Sequence, residues 1–422
     1  MLQKHGITKI FLLYSNALTI QMKSTLYRLI CCVLFVSVSS CVEEIAFSTT
    51  HNKRALVIES TLTNEIRFQE VRLSHSYALN QAGPSYETNA IVSISDDQQQ
   101  TYTFHSLDSG RYVSDVQFAA VPGRLYQLEI QTADGQQYSS TPTALTSETQ
   151  IDALNVAMES IEGKDYFVIK LDSYDPTGQS KYYRYAYEET YKIVAPYYSD
   201  YKTIVIQNES PYKVDTVPKT TASTKICYAT QRSQEIIQTE TTALTEDRLH
   251  QFPVHRLPVD DFKVSHRYSI LVKQFVQSPE AYAYFNTLNE FSEDENLFSQ
   301  IQTGFITGNI SAEDPEATVI GFFEVAAVNS KRLFFNYRDF INTGRPPYKN
   351  ECSPQAPELE TDKGNEVGSP LIDQLNSGEY MFYMANHARS EFFPGPYLIV
   401  NRACGDCTVF GSVEKPDFWV DI

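Results

Sequence analysis

The chain has 422 residues, enough for two or three domains of ordinary size. Hydrophobic residues make up 42% of it and charged residues 20%, which excludes an intrinsically disordered chain. The formal net charge of −18 repels phosphate backbones, so we expect no nucleic-acid partner.

Residues 22–41 have the layout of a secretory signal. A short basic region precedes an apolar run from Leu29 to Val38, which is too short to span a bilayer, and small residues then lead to Cys41. The segment Val38-Ser39-Ser40-Cys41 resembles a lipobox, in which the cysteine is lipidated and becomes the first residue of the mature chain. An uncleaved membrane anchor or a chance apolar run is the alternative interpretation.

This layout predicts the N-terminal organisation and the location of the protein. Residues 1–40 form the signal peptide, and Met22 is a better start than Met1, because residues 1–21 add only a second apolar patch. Residues 41–54 form a lipidated polar tether. No Asp follows Cys41, and the acidic residues after it resemble surface-export signals of Bacteroidota lipoproteins. We therefore expect an outer-membrane lipoprotein, and cell-surface exposure is a further expectation.

Short strand-like runs separated by turn signals begin at residue 55. Asp134-Gly135 is typical of a hairpin turn. The runs are Ala55–Glu59, Glu70–Ser74, Ala90–Ser95, Thr101–Phe104, Arg111–Val113, Leu125–Ile130 and Gln137–Ser140. This pattern predicts an immunoglobulin-like β-sandwich over residues 55–145.

Residues 146–422 predict a larger β-rich domain with at least one helix. Ser278-Pro279-Glu280 combines a capping hydroxyl, a proline at the first helical position and an acid in the first turn, so a helix is expected from 279 to about 291. The loop from Thr343 to Ser369 is expected to be exposed. The strand candidates are Tyr166–Leu171, Tyr182–Glu188, Arg267–Phe275, Val319–Val325 and Lys331–Asn336. The predicted fold class is therefore mainly β.

Several segments together resemble the Bacteroidota outer-membrane lipoprotein family catalogued as domain of unknown function 4249. They occur in the same order as in the family and extend over nearly the whole mature chain. They are Leu56–Ser60, Val71–Ser74, Ala90–Asp97, Val121–Ile130, Gly308–Ile310, Val319–Val325, Cys404–Thr408 and Lys415–Trp419. Members of the family are often encoded beside TonB-dependent receptors, so the resemblance implies a role in nutrient uptake and assigns no chemistry.

Four cysteines remain after the signal and the lipidated residue: Cys227, Cys352, Cys404 and Cys407. An oxidising compartment and an even number favour two disulfides, and sequence does not choose among the three pairings. A bridge from the C-terminal pair to Cys352 would close the exposed loop. Cys404-x-x-Cys407 is also compatible with a redox or zinc half-site. However, a second close ligand pair and a βαβ context are both missing.

No catalytic, metal-binding or cofactor-binding constellation is present in the sequence. His250, His255 and His266 have spacings that fit no metal motif, and we interpret them as surface or structural residues. The 28 tyrosines suit binding of sugars or proteins, but strand formation and core packing account for most of them.

The sequence therefore favours a binding protein over an enzyme. The leading expectation is a lipid-anchored outer-membrane protein, held in the membrane through Cys41 and acting as an accessory of a TonB-dependent receptor. The alternative is a cell-surface structural or adhesion protein that uses the immunoglobulin-like domain as a spacer.

Overall fold

The computed structural model describes residues 54–77, 83–293, 306–363 and 366–421. Cys41, the signal segment and nearly all of the tether therefore lie outside the described residues. Among those described, no helix is long and apolar enough to cross a membrane.

The described residues form 25 strands and three α-helices. The first nine strands are β1 Leu56–Thr63, β2 Glu70–His75, β3 Ser85–Tyr86, β4 Ile91–Asp96, β5 Thr101–Asp108, β6 Arg111–Ser114, β7 Leu125–Gln131, β8 Gln137–Ser140 and β9 Thr143–Ala144. The next nine are β10 Ile151–Ile161, β11 Lys164–Tyr174, β12 Tyr182–Val194, β13 Tyr201–Gln207, β14 Lys213–Pro218, β15 Ile226–Arg232, β16 Ile237–Glu240, β17 Arg248–Pro258 and β18 Arg267–Gln277.

The remaining strands follow the first helix. They are β19 Ile310–Ala312, β20 Val319–Ala326, β21 Val328–Asn336, β22 Thr361–Lys363, β23 Glu366–Gly368, β24 Tyr380–Ala385 and β25 Tyr397–Asn401. The helices are α1 Pro279–Glu293, α2 Pro370–Asn376 and α3 Arg402–Gly405, with short 3-10 helices at Phe262–Val264, Tyr337–Asp339 and Cys407–Val409.

The first sheet, which we call the curled sheet, joins the N-terminal strands to two later ones. Its order is β19-β8-β7-β4-β5-β6-β2-β1-β20, with β3 and β9 paired at its sides. Strand β1 pairs with β20 in parallel, from Leu56 opposite Val319 to Thr63 opposite Ala326. Alternate residues point inward and form one apolar core, which includes Ile58, Val71, Leu73, Val92, Ile94, Tyr112, Tyr126, Leu128 and Phe323.

The two end strands of the curled sheet approach each other at a seam formed by Gly308-Asn309 and the start of β20. The backbone N–H of Phe323 donates to Oδ1 of Asn309 at 2.7 Å, and Nδ2 of Asn309 donates to the Phe323 carbonyl at 2.9 Å. The approach is so close that a Cβ on Gly308 would lie 1.7 Å from the carbonyl oxygen of Gly321. The asparagine amide thus supplies the pair of hydrogen bonds that a neighbouring strand would make.

Two further sheets pack face to face and form a sandwich. One has the order β10-β11-β17, and the other has the order β15-β12-β18-β21 with β16 also paired to β12. Strand β12 alternates, so that Tyr183, Tyr185 and Tyr187 point into the sandwich and the residues between them point outward. The inner side chains of both sheets form one core, which includes Phe167, Ile169, Leu171, Tyr191, Val254, Leu257, Tyr268, Ile270, Val272 and Phe335.

Three hairpins, β13–β14, β22–β23 and β24–β25, and helix α2 form a small module, which we call the C-terminal module because only β13–β14 precedes residue 361. Helix α2 begins at Pro370, where the side chain of Ser369 accepts a hydrogen bond from the Ile372 N–H. The module has its own apolar cluster around Val214, Ile372 and Ile399.

The prediction of a mainly β fold with at least one helix is confirmed, and helix α1 begins at the proline that the sequence indicated. All the strands expected over residues 55–145 are present. They lie in one continuous sheet whose curvature encloses the core, and strands β19 and β20 complete that sheet. The described residues belong to one compact unit. A domain boundary at residue 145 stays a prediction.

Candidate ligand-binding cleft

An open cleft of about 390 Å³ lies on the outer face of the five-stranded sheet of the sandwich, next to the curled sheet. Its floor comes from the outward residues of two paired strands, Glu188 of β12 opposite Leu271 of β18. Arg67 and Glu70 of the curled sheet line it on one side, and Arg232 lines it as well. The cleft therefore combines side chains from four separate parts of the sequence.

The wall from the curled sheet is a rigid pair of loops. The backbone groups of Arg67 and Phe118 bond to each other in an isolated bridge. The side chain of Gln69 donates to the carbonyls of Glu65 at 3.0 Å and Phe118 at 2.7 Å. Because adjacent residues of an extended chain point to opposite sides, Ile66 and Phe68 point away from Arg67; they are 77% and 49% exposed.

The wall from the sandwich is the connection between β15 and β16. The Ser233 N–H donates to the Tyr187 carbonyl at 2.9 Å, and the Tyr187 N–H donates to the Ser233 hydroxyl at 3.0 Å. These bonds hold the preceding Arg232 at the rim, where its side chain is 82% exposed. The guanidinium therefore faces solvent at the cleft mouth and remains accessible to a ligand.

The charges of the cleft occur in pairs across the sheet. Glu188 lies between Arg232 at 3.4 Å and Arg332 at 3.9 Å. Glu65 lies 3.0 Å from Lys273 and 3.7 Å from Arg67. The Arg232–Glu188 pair has its arginine in solvent, and pairs of this kind contribute little to stability, so a ligand group that displaces Arg232 from Glu188 costs the protein little.

A buried polar network fixes the curled sheet against the sandwich beside the cleft. Glu324 of β20 is 2% exposed and accepts hydrogen bonds from Thr61 at 3.1 Å, from Gln277 at 2.9 Å and from the Arg184 guanidinium. Arg184 also lies between the rings of Phe275 and Phe285, at 4.3 Å and 4.9 Å. This network joins β1 and β20 of the curled sheet to β12 and β18 of the sandwich, the two strands that form the cleft floor.

A second charged cluster lies inside the sandwich, away from the cleft. Glu189 is almost fully buried and accepts hydrogen bonds from Lys263 at 2.7 Å and Tyr268 at 2.5 Å, with His255 at 3.6 Å. Burial alone would raise the pKa of Glu189. The surrounding donors outweigh burial and lower the pKa to about 2. Glu189 is thus a fixed carboxylate at neutral pH, which makes it a structural anion and a weak base.

The four cysteines form two disulfides, as the sequence favoured. Cys227 of β15 bonds Cys407, with 5.6 Å between their Cα atoms, and Cys352 bonds Cys404, with 5.8 Å. The Cys404-x-x-Cys407 pair thus connects the C-terminal module both to the sandwich and to the loop after residue 343. The lipidation residue predicted from sequence, Cys41, lies outside the described residues.

The other side chains singled out from sequence have separate places. His250 is exposed and lies beside Asp172, whereas His255 packs against Tyr187 in the sandwich in a tilted arrangement with 4.2 Å between ring centres. Burial lowers the pKa of His266 to about 4. The described residues contain no group of three or more His, Cys, Asp or Glu side chains arranged to hold a metal ion.

The residues of the cleft were missed by sequence reasoning. Arg67, Glu188, Arg232 and Lys273 belong to no motif and are far apart in the chain. One sequence signal could have pointed to the cleft floor. It is the imperfect alternation around Tyr182–Glu188, which indicates a strand with charged residues on its outer face.

The fold and the cleft define a mainly β protein in which a curled sheet and a sandwich form one unit. The sequence model of the family described as Domain of unknown function (DUF4249) matches residues 42–332, and the chain belongs to this family. Comparison with curated proteins gave no match.

Among solved structures, the chain is similar to trypsin-activated alpha-2-macroglobulin from Escherichia coli. The identity is 11% and the TM-score is 0.17, and the alignment covers 54% of this chain and 15% of that one. The chain thus spans less than a sixth of that protein, and a similarity at this level carries no argument.

Proposed function

We propose that the protein is a lipid-anchored binding protein of the outer membrane that serves TonB-dependent nutrient uptake and binds its ligand without chemical conversion. The observation that carries the proposal is the preformed cleft between the curled sheet and the sandwich, with charged groups of both signs at its floor and rim. Sites between packed units are common positions for ligands, and polar groups placed around an open cleft provide specificity.

The proposed location is supported by the N-terminal sequence. Cys41 follows a basic region, a short apolar run and small residues, and the family match begins at residue 42, directly after it. Two or more acyl chains anchor a protein stably, because each buried methylene contributes about 0.8 kcal/mol. The net charge of −18 favours a folded body that remains separated from anionic headgroups.

The receptor association is tested by affinity purification of the tagged, lipidated protein from its native outer membrane in mild detergent, followed by quantitative mass spectrometry. We expect a TonB-dependent receptor in stoichiometric amount. A Cys41→Ser variant, which has no acceptor for lipid, should be lost from the membrane fraction. A lipoprotein that runs alone would contradict the uptake proposal and favour the adhesion or spacer alternative.

The cleft is tested with a matched pair of arginine variants. Arg232 and Arg248 are both exposed, and each lies beside a glutamate, at 3.4 Å and 3.3 Å, but only Arg232 lines the cleft. We would screen glycans and peptides by thermal shift. A cleft ligand should raise the Tm of the wild-type protein and of Arg248→Glu. It should leave the Tm of Arg232→Glu unchanged. Equal responses of the two variants would exclude the cleft as the binding site.

A further inference from the structure

An aromatic turn, Ser390–Phe393, stands at the tip of the β24–β25 hairpin. The side chain of Phe392 is 86% exposed, the highest value among the large hydrophobic side chains of the described residues, and that of Phe393 is 41% exposed. Single exposed hydrophobic residues are common on protein surfaces. What distinguishes this one is the way in which it is held.

The turn is closed by its own hydrogen bonds. Ser390 and Phe393 exchange backbone hydrogen bonds at 3.2 Å and 3.1 Å, and the Phe393 N–H also lies 3.2 Å from the Ser390 hydroxyl. Below the turn, the side-chain amide of Asn386 donates to the carbonyls of Phe393 at 2.9 Å and Gly395 at 2.8 Å. The loop is therefore fixed from inside, and Phe392 projects from a defined backbone.

The base of the turn is braced by the loop that follows residue 343. The Gly395 N–H donates to the Ala356 carbonyl at 2.9 Å, and a Cβ on Gly395 would lie 1.8 Å from the Pro357 carbonyl oxygen. Gln355 pairs with Ile399 of β25 through two backbone hydrogen bonds of 2.8 Å. The disulfide between Cys352 and Cys404 locks the same loop to the segment after β25.

We propose that Phe392 is an anchor residue that inserts into a concave apolar pocket of the partner receptor. The inference rests on the proposed function for the identity of that partner. A large aromatic side chain on a rigid, protruding turn loses little conformational freedom on binding, which is the property of residues that dominate protein interfaces. Because the tip is convex, its binding site must be concave.

The charge of the turn favours a protein over a lipid surface as the occupant. The turn and its flanks carry one cation, Arg389, and one anion, Glu391, so they lack the cluster of Lys and Arg that attracts a segment to anionic lipid headgroups. The rest of the molecule contributes a net charge of −18, which repels anionic headgroups around the tip. Binding to a neutral apolar pocket of a protein requires no basic cluster and involves no repulsion from anionic headgroups.

The experiment places a photo-crosslinking amino acid at position 392 of the full-length, lipidated protein in its native membrane, with position 107 as the control. Leu107 is also an exposed hydrophobic side chain, at 52%, but it lies on β5 of the curled sheet. In parallel, receptor recovery is compared for Phe392→Ala and Leu107→Ala. Both side chains face solvent, so both variants should keep the wild-type Tm.

We expect a crosslink from position 392 to the receptor and none from position 107. Receptor recovery should fall about tenfold or more in Phe392→Ala, as for an interface hot spot, and remain unchanged in Leu107→Ala. A crosslink to lipid alone, or undiminished recovery with Phe392→Ala, would overturn the inference while leaving the receptor association intact. A crosslink from position 392 to a protein other than the receptor would also overturn the inference, whereas the proposed function is decided separately by whether the receptor is recovered with the wild-type protein.

Discussion

At the scale of single residues, Glu189 is the clearest case of a buried charge maintained by its neighbours. Its carboxylate accepts hydrogen bonds from Lys263 and Tyr268, and both donors lie at the buried carboxylate of Glu189. Removing one partner of such a cluster leaves the others buried without compensation, which costs more than the cluster itself contributes. Glu189 is therefore a sensitive point for stability.

We predict that Glu189→Gln lowers the free energy of unfolding at pH 7 by about 3 kcal/mol. The pKa of Glu189 falls from 4.5 to about 2 on folding, so its contribution is complete above pH 4.5 and is lost as the pH drops towards 2. Urea unfolding between pH 7 and pH 2 should show a shallower acid loss in Glu189→Gln than in wild type.

The matched control for this prediction is Glu246→Gln. Glu246 is exposed and lies 3.3 Å from the exposed Arg248, so the substitution should change stability by less than about 0.5 kcal/mol. If the wild-type and Glu189→Gln curves ran parallel through the acid range, the carboxylate would have no special role in folding.

At the scale of elements, the seam of the curled sheet depends on glycine. Residue 308 has no room for a Cβ, because the Gly321 carbonyl occupies that space. A backbone shift that made room would disturb the two Asn309–Phe323 hydrogen bonds. Steric conflict against backbone is among the few causes of large losses from a one-carbon change.

We predict that Gly308→Ala lowers the free energy of unfolding by about 2 kcal/mol or more, because the seam must open to admit the methyl group. Chemical denaturation monitored by fluorescence measures this loss. Gly368→Ala is the control, since a Cβ there meets nothing within 4 Å. Equal stability of the two variants would mean that the seam is loosely packed.

The seam also marks the limit of what the sequence could predict. Strand-like runs located twelve of the 25 strands of the described residues, and Ser278-Pro279-Glu280 located the start of α1, because these signals are local. The parallel pairing of β1 with β20 is not local, and neither run carries a mark that specifies its partner. Strand β17 escaped detection because Pro253 and Pro258 interrupt its pattern.

The candidate site was still less accessible to sequence reasoning. Two disulfides were foreseen from an even number of cysteines and an oxidising compartment, although the pairing required the structure. The cleft consists of ordinary charged residues whose meaning arises only when β12, β18 and the loop after β1 are brought together. Phe392 was similarly hidden, because exposure is a property of the fold.

At the scale of the whole molecule, the N-terminal strands depend on chain that lies far downstream. Strand β1 is paired on one side by β2 and on the other by β20, and β8 is paired at its outer side by β19. The core of the curled sheet also includes Ile310, Phe323 and Val325. Residues 55–145 alone would therefore have two open edges and an incomplete core.

We predict that an isolated fragment of residues 54–145 shows no cooperative unfolding transition, because unpaired edges and lost core contacts leave it below the stability of a small domain. The same fragment joined by a short Gly/Ser linker to residues 306–327 should unfold cooperatively in urea. Cooperative unfolding of the shorter fragment would establish it as an autonomous domain with the boundary at residue 145.

The parallel pairing of β1 with β20 also means that β1 is synthesised long before its partner strand. A ribosome adds roughly 5–20 residues each second, so Leu56 emerges well over ten seconds before its partner Val319 exists. Throughout that interval β1 carries a free edge that could pair with any other strand it meets, including one from a second copy. A chaperone that covers this edge during synthesis and export would accordingly keep β1 from mispairing until β20 has been made.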